Sequence, residues 1–227
     1  MCFTPLISLS TAIVEFLLAG ILVFGFKRYW LRYFWGTVIF LLGFYQLTEY
    51  FLCTTQQPVL WAQIGFISYT FLPALALHSV YRFLRKKAQV HLFYVLPVAY
   101  SLYALMAEGF VQSATCEKVF VDVTGILSQP QGLLQYAIFF IYGAYYIGFI
   151  LAGCLLLGFA YRHERSRKRK QIELIEILAV ILPTVPFFIL IILFPFLGVM
   201  YPSVLCQFAI VFAVLVFVGC YIDNRRS

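Results

Sequence analysis

The sequence predicts an all-α, polytopic membrane protein folded as one bundle of seven transmembrane helices, and three observations predict it. The first is composition: 63% of the 227 residues are apolar and 11% are charged, against roughly 45 to 50% and 25% in soluble domains. Such a chain lacks the polar material to cover a ball of its own size, so its solvent is lipid. The second is a set of seven apolar runs bounded by charge. The third is the placement of Lys and Arg in the turns between them.

The runs are Leu6 to Phe26, Tyr33 to Cys53, Val59 to Leu84, His91 to Glu108, Leu133 to Tyr161, Glu173 to Leu197 and Pro202 to Ile222. A helix crosses hydrocarbon in about 20 residues, and tilt absorbs the longer runs. They are apolar all round, which excludes barrel strands with alternating faces. The first run has no basic region before it and no small-residue cleavage site after it, so it reads as a retained reverse anchor rather than a signal peptide. Tyr29, Trp30, Tyr33, Phe34 and Trp35 cluster about the start of the second run, on the expected inner side, and Trp61 stands on the expected outer side. These clusters fit the two interfacial aromatic belts. Aromatic residues make up 19% of the chain, more than belts require, so part of them is expected to line an interior. Pro73, Pro97, Pro183, Pro186 and Pro195 fall inside runs three, four and six. Each removes a backbone donor and bends its helix, and the freed carbonyls must find partners inside the bundle. The fifth run carries Ala144, Gly148 and Ala152 at every fourth position, a small-residue stripe for close helix packing or a homodimer face. Glu173 and Glu176 at the start of run six suit the positive end of a helix dipole.

Orientation follows from the basic residues. Lys27, Arg28 and Arg32, then Arg82, Arg85, Lys86 and Lys87, then Arg162 to Lys170, and finally Arg225 and Arg226 place 15 of the 16 on one side. Lys118 alone stands on the other. The amino terminus is therefore expected outside and the carboxyl terminus in the cytoplasm, in a cell membrane, with the bacterial inner membrane as its setting. The net charge of +7 is spread over short cytoplasmic turns, so no nucleic-acid partner is expected. Arg162, Arg165, Arg167, Lys168, Arg169 and Lys170 read as topogenic residues attracted to anionic lipid, with a cytoplasmic docking partner as the other reading.

Ionisable residues at membrane depth are costly and are functional candidates by default. At about 1.5 Å per residue, Glu15 lies roughly 14 Å from the outer end of its run, Gln46 about 10 Å and Glu49 about 6 Å. Gln46 and Glu49 are three apart and share a helix face. With Gln63 and Gln207 at similar shallow depth, these residues are expected to form an outer-half pocket for a small ligand or ion. The competing reading has the glutamines and Glu49 reaching the interface separately. Below Tyr69 only His78 and scattered hydroxyls appear, so the inner half reads as dry. His78 itself reads as a hydrogen-bonded packing residue.

Absences narrow the chemistry. Too few histidines lie in the runs for a bis-histidine haem or a histidine-rich zinc hydrolase, and no lysine is there to hold a retinal Schiff base. No phosphate loop, Gly-x-Ser-x-Gly elbow or His-Glu-x-x-His is present, and no motif specifies a cofactor. Cys53 and Cys116 are one of the pairings open to the outer cysteines, and would tie the second run to the long loop Gly109 to Gly132. Cys2, with a terminal amine beside it once Met1 is removed, could bind a soft metal or act as a nucleophile, or be a buried small residue.

Met1-Cys2-Phe3-Thr4, Gly20 and the Gln46-x-x-Glu49 pair resemble a group of uncharacterised bacterial integral membrane proteins that begin Met-Cys-Phe-Ser and carry Gln-x-x-Glu in their second helix. Thr4 departs from that pattern. The resemblance implies that Cys2, Gln46 and Glu49 belong to one site. A weaker similarity, through Ile64-Gly65-Phe66, Leu72-Pro73, Leu77-His78 and the basic run Arg167 to Lys170, links the chain to the seven-helix amino-terminal sensor regions of bacterial histidine kinases. With no kinase module following the seventh run, signalling would need a separate partner. The leading expectation is a receptor-like or sensor-like protein. A transporter or proton-coupled carrier, a membrane enzyme using Cys2 with Glu49, and an assembly subunit are the alternatives.

Overall fold

The computed structural model describes residues 5–26, 32–85, 89–116, 121–193 and 205–224. Side chains at 168, 169, 183, 184, 186–193, 205–208, 223 and 224 fall outside the described set. Cys2, Lys118, Pro195 and the Gln207 side chain are among the residues that lie beyond it.

Eight α-helices and one β-hairpin make up the described fold: α1 (Pro5–Gly20), α2 (Arg32–Thr54), α3 (Pro58–Thr70), α4 (Leu72–Phe83), α5 (Val95–Met106), β1 (Val111–Cys116), β2 (Val121–Gly125), α6 (Leu133–His163), α7 (Arg167–Leu193) and α8 (Leu205–Asn224). Among the described residues, four stretches are long and apolar enough to cross a membrane: Pro5–Gly25, Arg32–Thr54, Pro58–Phe83 and Leu133–His163. Val90–Met106 and Ala209–Ile222 are shorter apolar helices. Helix α1 shows why lipid is the solvent. Its buried face carries Ser8, Ala12, Glu15 and Ala19, while Leu6, Leu17 and Phe24 of the same segment are 74%, 61% and 79% exposed. Apolar groups outside and polar groups inside reverse the order of a water-soluble helix.

The third apolar run is two helices rather than one kinked helix. Pro73 has no N–H to give the Tyr69 carbonyl, and the Phe71 amide turns back onto that carbonyl instead. The next carbonyl, Thr70, accepts the Tyr145 hydroxyl of α6 at 2.7 Å. The fourth run starts as a 3₁₀ turn over Val90–Tyr94, with Pro97 in the first turn of α5. Helix α7 begins at Arg167, six residues before the expected start. Glu173 and Glu176 are therefore not in a first helical turn, and the dipole explanation for them does not hold. The Ser166 carbonyl receives the Lys170 amide at 3.0 Å, and Arg and Lys are good helix formers, so the basic run continues the helix. The chain of α7 stays helical through Pro183 and Pro186.

The long loop forms the antiparallel pair β1–β2, a departure from the all-α expectation. A bulge between Val111 and Ser113 shifts the alternation of β1, so Val111 and Ala114, three apart, both face the helices. They join Phe110, Val121, Leu52, Phe66, Tyr100 and Ala104 in an apolar cluster. The Cys53–Cys116 disulfide, with Cα atoms 5.2 Å apart, ties the end of α2 to the end of β1. A second cluster, including Leu22, Trp35, Ile39, Leu157, Ala213 and Val216, joins α1, α2, α4, α6, α7 and α8. The small-residue stripe of α6 is not part of either core: Ala144 and Gly148 are exposed, and the face of α6 that meets the bundle is Tyr145, Gly153 and Leu157.

Candidate acidic site between α1 and α2

Two glycines set how α1 and α2 meet. A methyl group at Gly43 would lie 3.1 Å from Glu15 Cβ and 3.1 Å from the Phe16 ring. At Gly36 it would press on Val23, with the Ala19 carbonyl 3.7 Å away. These approaches fix an antiparallel register in which Glu15 stands level with Gly43. One turn toward the start of α1, Gln46 is then level with Ala12, and one further turn places Glu49 level with Ser8.

All of these groups are buried: Glu15 is 0% exposed, Gln46 1%, Ser8 3% and Glu49 4%. Gln46 and Glu49 both have interaction partners. Glu15 differs, because neither of its carboxyl oxygens has a hydrogen-bond partner among the described residues. A buried carboxylate with no partner carries a large desolvation cost. A proton or a cation on Glu15 would offset that cost.

Polar contacts continue from α2 to α3. Ser68 donates to the Leu41 carbonyl at 3.1 Å, and Thr48 donates to the Tyr45 carbonyl at 2.7 Å. Gly65 of α3 lets that pair of residues approach, since a methyl group there would sit 2.7 Å from Thr48 Oγ1. Gln63 is on a different side of α3. Its Nε2 donates to the Ala104 carbonyl at 3.3 Å, an acceptor left open near the end of α5. The structure thus brings Glu15, Gln46 and Glu49 onto one helix interface and places Gln63 at another.

Further polar groups are buried away from the α1–α2 interface. Glu173 and Glu176 of α7 are 1% and 3% exposed, and both have interaction partners. The Trp35 indole N–H is buried without a partner among the described residues. His78 Nε2 accepts from Arg82 Nε at 3.3 Å, so in a neutral ring Nδ1 carries the proton and donates to the Tyr94 hydroxyl at 2.8 Å. Phe34 closes on this ring edge-on at 4.7 Å, and His78 is a packed, hydrogen-bonded residue. The tyrosines gather where α3 breaks: the Tyr142 hydroxyl is 3.0 Å from Thr70 Oγ1, and the Tyr142 and Tyr145 rings lie 6.1 Å apart. Among the described residues no group of three or more His, Cys, Asp or Glu could hold a metal ion.

The chain matches no protein-family model, no curated protein and no solved structure.

Proposed function

We propose that this multi-pass membrane protein is a receptor-like or sensor-like bundle that takes up a small cation, a proton included, between α1 and α2. The observation that carries the reading is Glu15: a fully buried carboxyl with no hydrogen-bond partner among the described residues. Gln46 and Glu49 stand at successive turns between Glu15 and the outer end, and supply oxygen atoms suited to a hard cation. The proposed topology is seven passages with the amino terminus outside, supported by the one-sided distribution of Lys and Arg. It puts the acidic site in the outer half and the basic turns at anionic lipid or a cytoplasmic partner. The exposed Ala144 and Gly148 of α6 support a homodimer face.

The test is thermal unfolding of the purified protein in sodium, potassium and choline chloride, and across pH. The reading requires a selective rise in Tm with one cation or with protons, lost in Glu15→Gln and partly retained in Glu15→Asp. A Tm that responds identically in wild type and Glu15→Gln overturns it. Burial of Glu173 and Glu176 favours a second reading, a proton-coupled carrier, because the inner half is less dry than expected. Proteoliposome flux that disappears in both Glu15→Gln and Glu173→Gln would place the carrier first.

A further inference from the structure

The face of α1 and α2 that looks away from the bundle holds a groove of about 510 Å³. Its floor is Gly20 and Gly36, and Phe16, Phe40 and Phe24 form walls. Phe24 and Phe40 are 79% and 49% exposed, so the groove opens to hydrocarbon rather than to the acidic site. Nothing lies within 4 Å of a methyl group placed at Gly20; the space there is open.

A charge stands beside the groove. Tyr33 is part of the lining, and the Arg32 guanidinium stacks 4.6 Å from the centre of its ring. Arg32 also donates to the Tyr33 hydroxyl at 2.7 Å and to the Phe26 carbonyl at 3.4 Å. Both acceptors are neutral, and no carboxylate pairs with Arg32 among the described residues. A guanidinium has five N–H donors in a planar fork that matches a phosphate. Arg32 thus has N–H donors to spare beside an apolar slot.

We propose that the groove is a binding site for an anionic phospholipid, with one acyl chain along Gly20 and Gly36 and the phosphate on Arg32. A neutral lipid could fill the slot, but the Arg32 guanidinium beside it, with no carboxylate partner among the described residues, favours a headgroup with net negative charge, and juxtamembrane Arg and Lys attract such lipids. The aromatic walls and the glycine floor hold the chain; the guanidinium selects the head. The groove lining contains neither Glu15 nor Glu49.

Native mass spectrometry of the protein equilibrated with equal amounts of phosphatidylglycerol and phosphatidylcholine tests the assignment. The wild type should retain one phosphatidylglycerol in preference to phosphatidylcholine. Arg32→Gln should reduce that preference about fivefold, the equivalent of about 1 kcal/mol, while still retaining a lipid. Gly20→Phe, whose ring would grow into open space, should lose the bound lipid of either kind. Thermal unfolding in lipid-free detergent, unchanged in both variants, would show that the fold is intact. Equal retention of the two lipids by the wild type, or the same phosphatidylglycerol adduct in wild type, Arg32→Gln and Gly20→Phe, would overturn the proposal.

Discussion

The Tyr145 hydroxyl of α6 donates to the Thr70 carbonyl at 2.7 Å, at the point where α3 gives way to α4. Thr70 is 0% exposed and Tyr145 3%, so no solvent can replace the bond. A buried acceptor stripped of its donor costs about 1 to 3 kcal/mol. Tyr145→Phe, which removes only the oxygen, should therefore lower unfolding stability by about that amount. A chemical or thermal unfolding curve superimposable on the wild type would show that the helix break needs no hydroxyl.

Helix approach at Gly43 should be equally sensitive. Gly43→Ala forces its methyl group to 3.1 Å from both Glu15 Cβ and the Phe16 ring, and overpacking of this kind costs about 1 to 3 kcal/mol. Gly143→Ala is the matched control, since nothing lies within 4 Å there, and the gain in helix propensity should leave it neutral or more stable by up to about 1 kcal/mol. Equal Tm values for the two variants would contradict the α1–α2 register.

Cys53 and Cys116 are 63 residues apart in sequence, and a crosslink over such a loop contributes about 2 to 4 kcal/mol. Reduction, or Cys53→Ser with Cys116→Ser, should cost about that and raise hydrogen exchange in Val111–Cys116 and Val121–Gly125. Exchange in α7 and α8, whose buried residues belong to the other apolar cluster, should stay as it is. Uniform loosening of all helices would mean that the hairpin is integral to the bundle and not clamped onto it.

Topology is checked by single cysteines in an otherwise cysteine-free chain. A probe that cannot cross membranes should label Ser128→Cys in intact cells and Ser166→Cys only after permeabilisation. The reverse pattern would invert the orientation drawn from the Lys and Arg distribution.

What the sequence made legible, and what it hid, has a physical basis. Gln46 and Glu49 can be put on one buried face from their spacing alone, because three residues is nearly one helical turn. Gln63 cannot, because α3 is apolar all round and has no polar side to show which way each residue turns. The burial of Glu173 and Glu176 depended on where α7 starts, and the basic residues before them looked like a turn when they are the first turn of the helix. The hairpin was obscured by its bulge, which breaks the period-two alternation that marks a strand. That Glu15 has no hydrogen-bond partner among the described residues is a tertiary property, set by what packs against α1 and not readable from α1 alone.

On the proposed function, Glu15 changes state when a cation or proton is taken up. Infrared difference spectroscopy of the purified protein measures that state directly, through the carbonyl stretch of a protonated carboxyl. The account predicts a carboxyl band that disappears when the stabilising cation is added or the proton is released, and that is missing from Glu15→Gln. A band that persists unchanged under every condition, or the same difference spectrum in Glu15→Gln, would contradict it.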